Sequence, residues 1–406
     1  MGSIRNNISS ISFWVGSLIF GFYSIIMLLA VNFFGLQVSY TTTVSSRITL
    51  AFLILIIILR SKPLRMMLTD KLVILFWGLW ILRLLYDGYL QSENILSHEP
   101  SYYFFLSIFF AIIPFFGGKY IQNLKYVKNG IIYSSVIFCL IILVMFNQFI
   151  GSEVRLGVDE DSISPLVLSY TASLVIGYFL VELLLNRFKL KHLIYVVLAI
   201  PAFGLGASKG GVFAIVLSVA ITLYVYKKIK LKYLFAFAML IVFIQNASFF
   251  GMSTLTQRFE SAFNDYSGQS SKKDAREVLW NQAVENIYNS PITGDFIEVK
   301  KGRIGSAYPH NIIVEAAMST GFIGGILMIV ICFITFRRAL FLVKISKEYI
   351  WILVIYTQAF AQNMVSGNLY SAATWFWFMV GLVNYKYIVI KNTVINEKKG
   401  FKNKLI

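Results

Sequence analysis

Apolar runs of about 16 to 25 residues recur along the chain, separated mostly by short polar connections. Each comes close to the roughly 20 residues a helix needs to cross about 30 Å of hydrocarbon. Twelve candidate spans result, near residues 12–35, 43–59, 72–89, 102–117, 130–150, 165–185, 190–206, 210–226, 231–250, 310–335, 349–365 and 370–389. In lipid a spanning segment must satisfy its own backbone hydrogen bonds, so the runs predict helices. The expected fold is therefore all-α, a polytopic transmembrane helical bundle of about 12 spans. The first run is too long for a signal-peptide core and reads as a retained span. The pairs 190–206/210–226 and 349–365/370–389 read as tight hairpins, and 102–117 is short enough to be tilted or partly re-entrant. The organisation that follows is nine spans in 1–250, one large loop in 251–309, three spans in 310–389 and a basic tail in 390–406.

The connections alternate in charge. Residues 60–71, 119–128, 187–191, 227–232, 337–347 and the tail are basic, whereas the intervening connections are neutral or acidic. Summed by side, one face of the expected membrane carries a net charge of +21 and the other −4, which together give the chain's +17. The positive-inside rule puts the basic side and both termini in the cytoplasm. The excess of cations thus marks topology and gives no reason to expect nucleic acid. Composition agrees with a membrane protein: 58% of the 406 residues are hydrophobic, only 14% are charged, and the mean hydropathy is +0.72. The two cysteines, Cys139 and Cys332, both fall inside apolar runs, so neither a disulfide framework nor a zinc site is expected.

This orientation leaves the long polar segment 251–309 outside the cytoplasm. It contains an amphipathic stretch, AREVLWNQAVENIY at 275–288, with Val278, Leu279, Ala283 and Ile287 at helical spacing and Trp280 beside them. Asn289-Ser290-Pro291 and Gly294 then break it, which suggests a folded cap facing the membrane.

On that outer side cations run against the topological bias, so each asks for a reason. Arg47 and Arg83 sit near outer helix ends, where a long stem reaches the interface. Arg155 lies close to Asp159, Glu160 and Asp161, which offer an ion pair. Lys209 stands in a tight turn among Gly204, Gly206, Gly210 and Gly211, either a plain turn or an anion site in which backbone comes close to a ligand. The loop adds Arg258 and Arg276, whose guanidinium groups suit a diphosphate, and lysine pairs that read as solvated. His98 and His192 also read as solvated. His310 follows Pro309, a good first-turn residue, which predicts His310 at a helix N-terminus where the dipole favours neutral imidazole. Such a ring accepts a proton from a hydroxyl. Asn311 and Glu315 share a face at i, i+4, and a carboxylate in an apolar run needs a polar partner.

Taken together, Arg276-x-x-x-Trp280, Asn289-Ser290-Pro291-x-x-Gly294, Tyr308-Pro309-His310-Asn311 with Glu315, and Gly321-x-x-Gly324 resemble the bacterial O-antigen polymerase and O-antigen ligase superfamily. Arg155-Leu156-Gly157 through Pro165 and Ser208-Lys209-Gly210-Gly211 are similar to two further family segments, the second with lysine in place of arginine. The resemblance covers about residues 150–330. It implies a membrane glycosyltransferase that uses neither cofactor nor metal, takes an undecaprenyl-diphosphate-linked glycan as donor at the periplasmic face, and works with membrane lipid and often a polysaccharide chain-length regulator. By that resemblance Arg155, Lys209, Arg258 and Arg276 would hold the diphosphate and His310 would act as base, supported by Asn311, Glu315, Tyr308 and Trp280. The Tyr308 motif and the lysine in the glycine turn look more like a polymerase than a ligase. A lipid-linked oligosaccharide flippase is the reading from a different class, but such transporters tend to carry two-fold repeats, and no internal repeat is visible.

Overall fold

The computed structural model describes residues 2–34, 36–61, 64, 66–90, 96, 99–146, 165–185, 189–206, 208–227, 275–299, 308–370 and 373–402. Among these residues the fold is all-helical, without a strand. In chain order the helices are α1 (Gly2–Ile19), α2 (Gly21–Phe34), α3 (Leu36–Arg60), α4 (Leu68–Leu85), α5 (Pro100–Tyr120), α6 (Leu124–Val144), α7 (Pro165–Leu185), α8 (Leu190–Gly206), α9 (Lys209–Val225), α10 (Ala275–Asn289), α11 (Ile312–Ile345), α12 (Ile350–Val365) and α13 (Thr374–Lys402).

Four of the described helices are long and apolar enough to cross a membrane: α5, α6, α7 and α11. A fifth arises if the halves Ser9–Ile19 and Gly21–Leu29, bent by 59°, form one broken span. Helices α8 and α9 are shorter apolar helices that fit the expected hairpin, while α3, α4, α12 and α13 overlie the expected runs 43–59, 72–89, 349–365 and 370–389. The expected span 231–250 lies outside the described residues. The 102–117 run, expected to be short, is extended by flanking turns into a 21-residue helix containing a π-helical turn, Ile108–Ile112.

The chain divides into two compact units. The first comprises residues 1–53 and 123–273. Hydroxyls join its helices: Ser17 Oγ donates to Gly130 O at 3.2 Å, and Ser24 and Thr171 hydroxyls meet at 2.8 Å. Two expectations are corrected here. Arg47 is buried with its guanidinium 4.0 Å above the Tyr23 ring, so it stacks on an aromatic face instead of reaching for water. His192 is also buried, 5.5 Å from the Phe179 ring, because its helical turn packs it inward.

The second unit comprises residues 54–122 and 274–406, with α4, α5 and α10 to α13. Its core is aromatic: Trp77 lies 5.4 Å from both Trp80 and Trp377, and all three are buried. Near the basic ends of α4, α5, α11 and α13 a polar network joins the four helices. The Lys119 ammonium pairs with Asp70, which also accepts from Met67 N at 2.8 Å. Arg338 donates to Thr69 Oγ1 and Asn384 Oδ1, and Asn384 Nδ2 donates to Thr335 Oγ1 at 2.9 Å. Pairing these groups with one another removes the cost of burying them singly.

Candidate functional site

The site is built from the end of α10, the turn after it and the start of α11. Helix α10 forms where the amphipathic pattern predicts it. Ala283 is fully buried with Leu279 and Ile287 against Val314 and Met318 of α11 and Val299. Asn289-Ser290-Pro291 ends the helix, and the chain turns on a 3.0 Å bond from Gly294 N to Ser290 O.

That turn enters a break in α11. Helical geometry would pair Phe322 N–H with Met318 C=O. Here Thr320 and Gly321 leave helical backbone, Gly321 with φ +69°. Asp295 N–H takes the Met318 carbonyl at 2.9 Å, and Phe322 N–H donates instead to Pro291 O at 2.7 Å. Both orphaned groups are thus satisfied by the turn, as buried backbone requires. The two glycines face each other across this join: a Cβ on Gly294 (φ +74°) would lie 2.3 Å from Ser319 O, and one on Gly321 would lie 2.2 Å from Ile292 O. The glycines of two separate sequence motifs serve one structural joint.

The segment after the joint is tied to α4 and α5. Arg83 Nη1 donates to Gly294 O at 2.7 Å, and its Nη2 lies 2.7 Å from Asp87 Oδ1. Asp87 Oδ2 in turn accepts from Ile297 N at 3.1 Å. Asp87 is turned to this position by a π-helical turn, Tyr86–Leu90, that closes α4, a distortion often found at functional sites. Next along the strap, Glu298 is buried and accepts from the Tyr103 hydroxyl at 2.5 Å. Arg83 is therefore a half-buried strut and not the free interfacial anchor that its place near a helix end suggests, because Asp87 and the Gly294 carbonyl meet its guanidinium.

The chain then reaches Tyr308 and His310. Helix α11 starts at Ile312, three residues after Pro309, because Asn311 makes the better cap. Its Oδ1 accepts from Ile313 N at 3.0 Å and Val314 N at 3.1 Å, and its Nδ2 donates to Met364 O at 3.2 Å. His310 sits just outside the helix in the left-handed region, φ +55°, with Nδ1 buried and its ring edge-on to Tyr308, centroids 4.7 Å apart. A β-carbon in that conformation costs about 1–3 kcal/mol and persists where the surroundings fix it. Burial, then the nearby Glu315 carboxylate, pushes the Tyr308 hydroxyl up to about 12, so it stays protonated at neutral pH. Glu315 is fully buried, and its Oε2 accepts from Leu369 N at 3.1 Å, the polar partner expected for it. Replacing Asn311 with alanine should cost about 1 kcal/mol of stability and loosen the turn that carries His310. A thermal-inactivation midpoint equal to wild type would count against this capping role.

The structure brings together Tyr308, His310, Asn311 and Glu315, all in the second unit. Trp280 lies exposed on α10, and Arg276 falls in the first turn of that helix. Lys209 is exposed at the start of α9 in the first unit. The expectation that glycines there admit a ligand meets a competing use at Gly211, where a Cβ would lie 2.4 Å from Ser169 Oγ, so helix packing demands this glycine. Arg155 and Arg258 lie outside the described residues, as does His98. Sequence reasoning missed Asp87, Tyr103 and Glu298. The available signal was Arg83 and Asp87 at i, i+4, an opposite-charge pair on one helix face.

Residues 194–329 match a family model described as O-Antigen ligase. The match covers about a third of the chain and includes the α10–α11 joint, Tyr308, His310, Asn311 and Glu315. No curated protein matches the chain.

Proposed function

We propose that this multi-pass membrane protein, whose residues 194–329 match a family model described as O-Antigen ligase, is an O-antigen polymerase. In this reading it moves a glycan from undecaprenyl diphosphate onto a lipid-linked repeat unit at the periplasmic face of the inner membrane, within a bundle of about twelve spans whose termini are cytoplasmic. The observation that carries it is the His310 turn: a histidine in left-handed backbone, fixed by the Asn311 cap and the Tyr308 ring, inside the segment that the family model matches.

The chemistry follows from the donor. An acceptor sugar hydroxyl gives its proton to His310, and its oxygen attacks the anomeric carbon. The bond from that carbon to the diphosphate oxygen breaks, and undecaprenyl diphosphate leaves with the electron pair. Such a displacement inverts the anomeric centre. Arg155, Lys209, Arg258 and Arg276 are the residues assigned to the departing diphosphate, a task for which fixed cations substitute for a metal ion. Asn311 and Glu315 act through the backbone they hold.

A ligase reading, in which the finished chain passes to lipid A–core, shares the same chemistry, and the family match at residues 194–329 does not separate the two. A deletion strain separates the two. Loss of a polymerase leaves a single repeat on the core in the lipopolysaccharide gel profile. A bare core with accumulated lipid-linked chains would instead establish the ligase.

A further inference from the structure

Helix α10 has two apolar sides, and only one is covered. Leu279, Ala283 and Ile287 pack on α11. Trp280, Val284 and Tyr288 are exposed at i, i+4 and i+8, and Ile292 in the following turn continues the row. Tyr288 is 76% and Ile292 70% exposed, too much for residues at the edge of a core. Glu285, adjacent to Val284 in the chain, is also exposed, so an ionic side chain directly borders the apolar row.

The row runs into a second one. On α11, Phe322, Ile326, Ile329 and Phe333 are exposed at i, i+4, i+7 and i+11, a single helical face. That helix is 34 residues long and apolar enough to span a bilayer, so this face meets lipid. The two rows meet where backbones touch: Phe322 N–H donates to Pro291 O, and Gly321 abuts Ile292 O. The row on α10 is therefore continuous with a surface already facing lipid, and it bears Trp and Tyr, the residues enriched at headgroup depth.

We propose that α10 lies in the bilayer interface, with Trp280, Val284, Tyr288 and Ile292 immersed among headgroups and upper acyl chains. The occupant of this surface is bulk membrane lipid. The inference stands on α10 and α11 alone and survives if the catalytic reading fails.

The test uses the full-length protein in nanodiscs. Cys139 and Cys332, both buried, are replaced by alanine, and single cysteines at 284, 288 and 285 carry an environment-sensitive fluorophore. Lipids bearing a nitroxide near the headgroup should quench positions 284 and 288 at least threefold more than position 285, in discs free of polyprenyl lipid. Equal quenching at all three positions overturns the proposal. So does quenching at 284 and 288 that appears only after polyprenyl diphosphate is added, which would make the surface a binding groove for the donor tail. Size-exclusion profiles establish that each labelled variant is folded. A Tyr288→Ser variant provides a check without a label: its α10 should become several-fold more accessible to added protease, and unchanged cleavage would contradict interfacial burial.

Discussion

Replacing His310 with asparagine should lower glycan polymerisation by about 10²- to 10⁴-fold, the usual contribution of a positioned acid–base group, while the protein stays inserted at wild-type abundance. Asparagine is the informative choice because His310 occupies left-handed backbone at φ +55°, which asparagine tolerates better than most residues. The turn and the Asn311 cap should survive, and only the ring is lost. His310→Ala removes the same ring but keeps a β-carbon less suited to that conformation, so it should show equal loss of polymerisation with a somewhat lower yield. Membrane immunoblots and lipopolysaccharide ladders read the two effects separately. Normal ladders from His310→Asn would remove the histidine from the reaction.

The second large effect is expected at a residue far from His310 in the chain. Arg83→Leu should destabilise the protein by about 3–5 kcal/mol, the penalty for leaving a buried charge without its partner. Asp87 would lose its 2.7 Å ion pair while still holding Ile297 N, and Gly294 O would keep only the longer 3.3 Å bond from Thr293 Oγ1. Because the strap carries the joint that replaces the Phe322–Met318 bond, activity should fall with stability. The double variant Arg83→Leu/Asp87→Leu removes both charges and should be less destabilised than the sum of the two single changes. Midpoints of thermal aggregation in detergent measure this. Additive losses would show that the pair does not couple.

The helices were legible because hydrocarbon-length apolar runs leave little choice of backbone, and α10 was legible from its own periodicity. What holds α10 in place was not. The Arg83–Gly294 and Tyr103–Glu298 bonds join residues 211 and 195 positions apart, and no local pattern encodes such pairings. Arg83 in particular looks like any cation near a span end until Asp87 is seen beside it. The motif glycines were visible as letters, but their reason, a turn filling a gap in a helix ladder, exists only in three dimensions. The start of α11 was misjudged because Pro309 carries a helix-start signal. Asn311, two residues later, has the side chain that reaches the orphan N–H groups.

The most direct measurement is a reaction of purified, reconstituted protein with a synthetic undecaprenyl-diphosphate-linked repeat unit, followed by mass spectrometry. Wild-type protein should yield products of two or more repeats together with free undecaprenyl diphosphate, and both should vanish with Arg276→Ala and His310→Asn. Unchanged repeat units after incubation with folded wild-type protein, or full extension by either variant, would contradict glycosyl transfer at this site.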